Sequence, residues 1–319
     1  MSKKLALIIG ANGQDGAYLS RYLIGKGFKV IGTSRDASQC SKANLKMLRI
    51  ENDIELISLS PVDYRSVIDL ITRIAPTHIY NLSGMTSVGL SYELPLECLS
   101  SIVNTCFNFL EALRFTQCRA RFFNAASSEC FGSINIGSVT ESSVFKPKSP
   151  YGVSKATAYW LVNSYRESYG IFCSNGILGN HESPLRAERF VTKKIISGAK
   201  DIYAGRSNEL ILGNLDIIRD WGWADEYVKA MHLILCADEP NDYIISTGSS
   251  YSLSDFVKKT FNYLELNIDK YLKIDKTFFR PSDITRSSLS PKKINDELGW
   301  KAKYSLDNVV EFMIEDKLN

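Results

Sequence analysis

The sequence has few of the residues on which metal sites, disulfide frameworks and membrane segments depend. Its three histidines, at positions 78, 181 and 232, are far apart along the chain, so no zinc site is expected. Seven cysteines form no CxxC pair, and their odd number argues against a disulfide framework. The apolar run after the N-terminal lysines ends at Gly10, which is too short for a secretory signal or a membrane span. We therefore expect a cytoplasmic protein with reduced thiols, no metal and no membrane partner.

Charge and length narrow the function classes further. The 38 lysines and arginines nearly balance the 35 aspartates and glutamates, which leaves a net charge of +3. No basic tract with interleaved aromatic residues is present, so no nucleic-acid partner is expected. The chain has 319 residues, of which 45% are hydrophobic and 23% charged, as in an ordinary globular protein. This length suits a nucleotide-binding domain with a smaller second domain.

The first third of the chain alternates short apolar runs with helical patterns, which is typical of βαβ units and a parallel sheet. Strands are predicted at residues 5–9, 28–32, 55–59, 78–82 and 120–125. Helices are predicted at residues 15–26, 62–74, 99–114 and 150–168. Beyond about residue 180 the pattern loosens, although Ser252 and Ser305 are predicted to cap two late helices.

A glycine-rich turn, Gly10-Ala-Asn-Gly13-Gln-Asp-Gly16, follows the first predicted strand and opens a helix. Its glycines allow a tight turn and a close approach of the backbone, and the helix presents its N-terminus to a pyrophosphate. Such turns also occur for steric reasons, but the strand–helix–strand context favours a dinucleotide site. Arg35, at the end of the second strand, can pair with a 2′-phosphate and favours NADP, whereas Asp36 would favour NAD.

These patterns together predict an α/β protein with a Rossmann-like doubly wound parallel sheet and a smaller mixed α/β C-terminal substrate lobe. The NADP-binding domain is predicted to span residues 1–178 and the substrate lobe mainly residues 179–319. A strand and a helix between Asp216 and Ile234 are expected to return to the main sheet, so that part of residues 216–245 joins the first domain.

Tyr151 and Lys155 are four residues apart in the predicted helix, so their side chains share one face. A lysine ammonium beside a phenol favours the phenolate, and we expect a lowered Tyr151 pKa that lets it take a proton from an alcohol. Ser127 follows a core strand at the carboxyl end of the sheet, where it can hydrogen-bond the same alcohol. The YxxxK spacing alone is common on helix surfaces, but its combination with Ser127 and the glycine motif is far more specific.

These motifs resemble those of the extended short-chain dehydrogenase/reductase superfamily, and more closely those of the GDP-mannose 4,6-dehydratase family. The resemblance covers nearly the whole chain. It rests on GANGQDG at 10–16, YNLSGMTSV at 80–88, SSE at 127–129, SPYGVSKATAYW at 149–160, NGILGNHESP at 175–184, FVTKKI at 190–195, LGNLDIIRDWG at 212–222 and RPSDI at 280–284. The NHESP and LGNLD…RDWG blocks are characteristic of the narrower family.

The resemblance implies a lyase that makes a 4-keto-6-deoxy sugar nucleotide from GDP-mannose by internal hydride transfer through NADP, with NAD as the alternative cofactor. Tyr151 would deprotonate the C4 hydroxyl, and Glu129 would take the C5 proton and protonate the oxygen that leaves C6. The predicted catalytic residues are therefore Ser127, Glu129, Tyr151 and Lys155. A homodimer or homotetramer is also implied.

The resemblance further assigns contacts to both ligands. Cofactor contacts fall on Gly10, Asn12, Gly13, Gln14, Asp15, Gly16, Arg35, Ser58, Leu59, Leu82, Thr86, Tyr151, Lys155, His181 and Arg186. Contacts with the GDP-sugar fall on Ser87, Ser128, Asn180, Val191, Lys194, Arg219, Arg280 and Asp283. Arg219 and Arg280 would hold the diphosphate, although a structural ion pair is an equal alternative for each.

Several positions depart from the family pattern and leave alternatives open. Ser127 stands where the family usually has threonine, Asp36 replaces a second basic residue, and Ser58 replaces an aspartate that meets the adenine. The substrate is therefore GDP-mannose or another GDP-hexose or GDP-heptose. The rival readings are a nucleotide-sugar 4-epimerase or 4-keto reductase and, with least support, a non-catalytic dinucleotide-binding regulator.

Overall fold

The structure is a computed structural model that describes residues 4–134, 137–279 and 282–318. Its strands are β1 Leu5–Ile9, β2 Lys29–Ser34, β3 Glu55–Ser58, β4 His78–Asn81, β5 Arg121–Ser127, β6 Cys173–Leu178, β7 Asn180–Glu182, β8 Leu210–Leu212, β9 Ile218–Arg219, β10 Trp221–Trp223, β11 Tyr243–Ile245, β12 Tyr251–Ser252 and β13 Leu272–Ile274. Its helices are α1 Gln14–Gly25, α2 Ala43–Met47, α3 Tyr64–Ile74, α4 Val88–Glu93, α5 Pro95–Leu99, α6 Thr105–Thr116, α7 Pro150–Tyr169, α8 Val191–Tyr203, α9 Ala224–Cys236, α10 Leu253–Tyr263, α11 Ile268–Tyr271, α12 Lys292–Leu298 and α13 Leu306–Ile314.

Seven strands of the described residues form one parallel sheet in the order β11-β6-β5-β4-β1-β2-β3. Helices α1 and α9 pack on one face, and α3, α6 and α7 pack on the other. Strand β1 is buried along its whole length, as expected of a parallel strand covered on both faces. This arrangement confirms the predicted Rossmann-like doubly wound sheet.

The helix that carries Tyr151 and Lys155 begins and ends where the sequence predicts. The Ser149 hydroxyl accepts a hydrogen bond from the backbone N–H of Gly152 at 3.0 Å, and Pro150 occupies the first turn. Gly170 ends the helix with a left-handed φ of 64°. Because both ends are determined by local chemistry, α7 holds its two reactive side chains in a defined orientation.

The helix predicted at residues 99–114 is interrupted. Helix α5 is followed by a π-helical segment, Ser100–Asn104, before α6 begins. The Ser101 hydroxyl of this segment accepts a hydrogen bond from the backbone N–H of Met85 at 3.2 Å. The π-helical segment therefore lies against the loop that follows β4, at the end of the sheet where ligands bind.

The stretch between Asp216 and Ile234 returns to the sheet only through its helix. Helix α9 packs on the main sheet, but β9 and β10 pair with β12 and β7 outside it. Between them the buried Asp220 carboxylate accepts hydrogen bonds from the backbone N–H groups of Thr247 and Gly248, at 3.0 and 2.8 Å. Strand β11, which is wholly apolar and buried, pairs with β6 at the sheet edge instead. The buried Arg219 and Asp220 of the 216–234 segment have their hydrogen-bond partners on segments outside the main sheet.

A chain of buried amides, the asparagine ladder, crosses the sheet beneath α7. Asn81, Asn124 and Asn175 occupy matching register positions in β4, β5 and β6. The Asn81 amide donates to Asn124 at 3.1 Å, and the Asn124 amide donates to Asn175 at 2.9 Å. The Asn175 amide donates to the Asp242 carboxylate, which also pairs with Arg166 of α7. The ladder therefore satisfies polar groups that burial would otherwise leave unpaired.

The remaining elements form a second core beside the carboxyl end of the sheet. Apolar residues of α8, α10 and α13 pack together there, with the short pairs β8–β13 and β9–β12 at their edges. Ser252 and Ser305 begin α10 and α13 with capping boxes, as predicted. A domain boundary at residue 178 stays a prediction. Within the described ranges, no helix has the length and apolar character needed to cross a bilayer.

Candidate active site

The glycine-rich turn between β1 and α1 is built for a close backbone approach. Gly10 has a φ of +90°, and a Cβ at Gly16 would lie 2.2 Å from the Gly10 carbonyl oxygen. Gly13 is the N-cap of α1 and supplies no side-chain cap to the N–H groups of the first turn. The Asn12 Oδ1 atom is buried without a hydrogen-bond partner among the described residues. The uncapped N–H groups fit the phosphates of a dinucleotide, whereas the unused acceptor of Asn12 suits a hydroxyl or N–H donor.

The end of β2 carries the two side chains that bear on the choice of cofactor. Asp36 directs its carboxylate into its own turn, where it accepts hydrogen bonds from the backbone N–H groups of Ser38 and Gln39 at 2.8 and 3.1 Å. These hydrogen bonds, with one from the Ser38 hydroxyl, hold the Asp36 pKa below its ordinary value. Arg35 is exposed and forms no ion pair with another residue that the structure describes. The cation is therefore available at this edge, whereas the carboxylate is engaged locally.

A cleft opens at the carboxyl ends of β4, β5 and β6, where open α/β sheets bind ligands. The predicted site residues that line it are Asp15, Leu82, Thr86, Ser87, Ser127, Ser128, Glu129, Tyr151, Lys155, Asn180, His181, Arg186, Val191 and Arg219. Predicted residues that do not line it are Gly10, Asn12, Gly13, Gln14, Gly16, Arg35, Ser58, Leu59, Lys194 and Asp283. Arg280 lies outside the described residues. The structure thus brings the four predicted catalytic residues into one cleft.

Ser127, Tyr151 and Lys155 meet at the floor of the cleft. The Lys155 Nζ donates to the Ala125 carbonyl oxygen at 2.6 Å and lies 5.8 Å from the centre of the Tyr151 ring. Burial raises the pKa of Tyr151 above its ordinary value, a hydrogen bond with Ser127 lowers it in part, and the Glu129 charge raises it again. Burial also lowers the pKa of Lys155. The predicted lowering of the Tyr151 pKa is therefore wrong for this structure, because desolvation of the phenolate outweighs the favourable contacts.

Glu129 enters the cleft from a single turn of 3₁₀ helix, Ser128–Cys130, that directly follows β5. The Ser127 hydroxyl accepts a hydrogen bond from the Glu129 backbone N–H at 3.2 Å and so fixes the start of this turn. The Glu129 side chain retains 15% of its exposure, which leaves it accessible to a ligand. Its carboxylate acts electrostatically on the Tyr151 phenol, so the two groups face the same space.

Arg219 lies across from Glu129 and is held by several acceptors. Its Nη1 donates to the carbonyl oxygens of Ile218 and Ile284, at 2.9 and 2.7 Å. Its Nη2 lies 3.3 Å from Asp283 Oδ1 and 4.0 Å from Glu129 Oε1. The structural ion pair that the sequence left open is therefore present. Lys194, by contrast, lies over the Phe278 ring at 4.6 Å and away from the cleft.

His181 joins the glycine-rich turn to the segment after β6. Its Nε2 lies 3.0 Å from Asp15 Oδ2, and its Nδ1 lies 2.8 Å from the Gly179 carbonyl oxygen. Burial lowers the pKa of His181, but the Asp15 carboxylate raises it more, so the net direction is upward. Gln14 strengthens the junction by donating to the His181 carbonyl oxygen at 3.1 Å. The partly buried Asp15 and the buried His181 thus form a pair at one wall of the cleft.

Sequence reasoning missed one acidic residue of the cleft, in addition to the predicted Asp15 and Glu129. Glu182 is buried, accepts a hydrogen bond from the Thr192 hydroxyl at 2.6 Å, and pairs with Arg186 at 3.1 Å. Its signal was the NHESP block, where only its neighbours Asn180 and His181 were assigned contacts. Further unpredicted lining residues are Arg189, Phe190, Thr192 and Trp221. Most lie within two residues of a predicted position, so the sequence predicted the correct segments but not every lining residue within them.

Comparison with known proteins agrees with the site. The family described as GDP-mannose 4,6 dehydratase matches residues 7–313. GDP-mannose 4,6 dehydratase 2 of Arabidopsis thaliana is 36% identical over 99% of this chain and 87% of its own length. The GDP-mannose 4,6 dehydratase of Homo sapiens is 33% identical over 98% of this chain and 91% of its own.

Solved structures show the same fold at lower identity. The UDP-glucose 4-epimerase of Thermus thermophilus, in complex with NAD, has a TM-score of 0.85 and 21% identity, with 98% of both chains covered. The dTDP-glucose 4,6-dehydratase of Bacillus anthracis str. Ames, in complex with NAD, has a TM-score of 0.85 and 17% identity, with 98% of this chain and 96% of that chain covered. From the full-length family match and the relatives above 30% identity, it follows that this chain belongs to the GDP-mannose 4,6-dehydratase family.

Proposed function

We propose that the protein is a GDP-mannose 4,6-dehydratase that works with bound NADP and releases a GDP-4-keto-6-deoxy sugar. The observation that carries this proposal is the position of Glu129, whose carboxylate faces the same cleft as Ser127, Tyr151 and Lys155. An epimerase or a 4-keto reductase needs only a group that moves the proton of the C4 hydroxyl. A dehydratase also needs a base for the C5 proton, and Glu129 supplies one.

The residues of the cleft divide the proton transfers between them. Tyr151 takes the proton of the C4 hydroxyl as a phenolate, a form that burial of the phenol disfavours and that the Ser127 hydrogen bond and the Lys155 ammonium favour. Ser127 also hydrogen-bonds the C4 oxygen. Glu129 removes the C5 proton, which the new C4 carbonyl makes acidic. Glu129 then gives that proton to the C6 oxygen, which leaves as water. C5 regains a proton when the hydride returns to C6, and the proton that Tyr151 took from the C4 hydroxyl balances the cycle. The cofactor, when bound, supplies storage for the hydride between its removal from C4 and its return to C6.

The preference for NADP rests on Arg35. This exposed guanidinium stands at the end of β2, where the adenosine ribose of a dinucleotide meets the sheet. A guanidinium suits a 2′-phosphate because it donates two parallel hydrogen bonds. Asp36 could compete for the ribose hydroxyls of NAD, but its carboxylate already accepts three hydrogen bonds within its own turn. The residues at this edge therefore support NADP over NAD.

Exposed apolar side chains support a homodimer formed through helices α5, α6 and α7. Leu96 is 82% exposed and Leu99 45% exposed on α5, and Phe107 on α6 is 43% exposed. On α7, Val153 and Trp160 are 47% and 60% exposed. Because α5 and α6 both pack beside α7, these exposed residues lie on neighbouring helices, and a second copy of the chain would cover them in the proposed dimer. Sedimentation of the full chain measures the assembly directly.

Incubation with GDP-mannose and catalytic NADP⁺ tests the activity. The expected product carries a new C6 methyl group, which proton NMR detects as it forms. Glu129→Gln keeps the size of the side chain but cannot take a proton, and we expect a loss of at least about 100-fold in kcat. Glu239→Gln, at an exposed position away from the cleft, is the matched control and should turn over normally.

Two outcomes would contradict the proposal. A 4-epimer or a 4-hydroxyl product in place of the methyl signal would assign the protein to a different reaction on the same fold. Absence of any product from GDP-mannose would exclude this sugar. Parallel incubations with other GDP-hexoses and with GDP-heptose would then show whether another GDP-sugar is the substrate.

A further inference from the structure

Arg219 is a fixed group of the cleft rather than a mobile clamp. Its side chain is 5% exposed, and its Nη1 is committed to two backbone carbonyl oxygens on different segments. The Ile284 segment is itself tied to β9, because the backbone N–H of Ile218 donates to the Thr285 carbonyl oxygen at 2.8 Å. The guanidinium therefore cannot leave its place without breaking one buried and two partly buried hydrogen bonds.

The Nη2 atom of this fixed guanidinium is shared by two carboxylates. Asp283 Oδ1 lies at 3.3 Å and Glu129 Oε1 at 4.0 Å. Glu129 also interacts electrostatically with two other titratable groups, Tyr151 on α7 and Cys130 in the 3₁₀ turn. Burial raises the pKa of both groups, so both are neutral at pH 7. Arg219 thus places a cation within ion-pair distance of Glu129, and Asp283 partly offsets its charge.

We infer that Arg219 is a positioning residue that holds the Glu129 carboxylate in its ionised form, and that Asp283 limits this effect by competing for the same guanidinium. The inference rests on the proposed function, because it concerns the residue that moves the C5 proton. A close cation makes Glu129 a weaker base toward C5 but a stronger acid toward the C6 oxygen. Asp283 restores part of the basicity. The pair therefore sets the balance between the two proton transfers that one carboxyl group performs.

A titration of the Glu129 carboxyl group tests this inference without any need for turnover. The full chain is labelled with ¹³C at the glutamate carboxyl carbons, and the spectrum of Glu129→Gln identifies the Glu129 signal. Arg219→Gln removes the cation and should raise the Glu129 pKa by about one unit or more. Asp283→Asn keeps the size of the side chain and removes the competing charge, so the Glu129 pKa should fall.

Opposite shifts separate this role from a merely structural one. Damage to the fold, or loss of a contact with the diphosphate, would not move the two titrations in opposite directions. Arg219→Lys should restore most of the wild-type value, because it returns the charge. Asp238→Asn, which removes an exposed carboxylate elsewhere, should leave the titration unchanged. If Arg219→Gln does not fold, the expected fall of the Glu129 pKa in Asp283→Asn tests the inference by itself.

The same variants give a second measurement in the reaction. The acid limb of the kcat profile should move to higher pH in Arg219→Gln and to lower pH in Asp283→Asn. Unchanged pKa values, or shifts of the same sign in both variants, would overturn the inference. If the wild-type chain forms product but the Glu129 pKa is the same in both variants as in the wild type, only this inference fails. If the signal shifts as expected but GDP-mannose gives no product, only the proposed function fails.

Discussion

The close contact between the glycine-rich turn and α1 predicts that two glycines of this helix respond differently to substitution by alanine. A Cβ at Gly16 would lie 2.2 Å from the Gly10 carbonyl oxygen, 2.6 Å from Ala11 Cα and 2.9 Å from the Ala11 carbonyl carbon. All three are backbone atoms, so no side chain can turn away, and either the turn or the helix must move. A Cβ at Gly25, at the other end of α1, meets nothing within 4 Å.

Gly16→Ala should therefore lower the free energy of unfolding by about 3 kcal/mol, the upper end for overpacking a tight site. Gly25→Ala adds the same methyl group to the same helix at an exposed position, and should be neutral or stabilising by up to about 1 kcal/mol. Urea unfolding of both variants beside the wild type measures the two values. A shift of the uncapped first turn should also weaken dinucleotide binding at least about tenfold in Gly16→Ala only.

Equal stability of Gly16→Ala and the wild type would refute the close packing of the turn on the helix. If Gly16→Ala keeps its stability but binds the dinucleotide more weakly, the packing argument is wrong and the role of the turn in phosphate binding is supported. Weaker stability with unchanged binding would reverse that conclusion. The comparison with Gly25→Ala removes the general effect of a glycine-to-alanine change on helix propensity.

The other predictions concern the cofactor, the assembly and pH. Arg35→Ala should weaken NADP⁺ binding about tenfold or more and leave NAD⁺ binding within about twofold, as titration calorimetry with each dinucleotide would show. Trp160→Lys should shift the sedimentation of a dimer toward the monomer, whereas Tyr203→Lys, at a similarly exposed position on α8, should not. Burial raises the pKa of Asp220 from 3.8 to about 6, so its protonated form favours the folded state. That contribution, about 3 kcal/mol, is present below pH 4 and is lost as the pH rises to 6. The free energy of unfolding of Asp220→Asn should therefore rise relative to that of the wild type as the pH increases from 4 to 6. If the difference between the two free energies does not change with pH, the raised Asp220 pKa is wrong.

Local chemistry explains why much of this fold could be predicted from the sequence. The buried strand Leu5–Ile9, the glycine-rich turn and the Ser149-Pro150 start of α7 are each determined by residues next to one another in the chain. Their positions in the structure match the prediction within one or two residues. The same locality brought Ser127, Glu129, Tyr151 and Lys155 to one cleft, because strand ends and helix starts share the carboxyl edge of a parallel sheet.

What could not be predicted depends on contacts between distant segments. The lowered Tyr151 pKa was inferred from the spacing of two residues on a helix, but burial by the surrounding segments determines its direction. The place of Arg219 between Glu129 and Asp283 joins positions 90 and 64 residues apart along the chain. The π-helical turn at Ser100–Asn104 packs on the loop after β4, and no local residue pattern predicts it.

The asparagine ladder has a consequence for how this sequence can change over time. Removing one amide would leave a neighbouring donor or acceptor buried and unpaired, at a cost of about 1–3 kcal/mol. Replacing all its members by apolar residues of similar shape avoids that cost, but no single step leads there without passing through an unpaired intermediate. A single apolar substitution at position 81, 124 or 175 is therefore expected to lower the free energy of unfolding more than a joint replacement would. A shift of one strand by one residue would turn its amide to the opposite face of the sheet. The ladder therefore also stabilises the observed register of β4, β5 and β6.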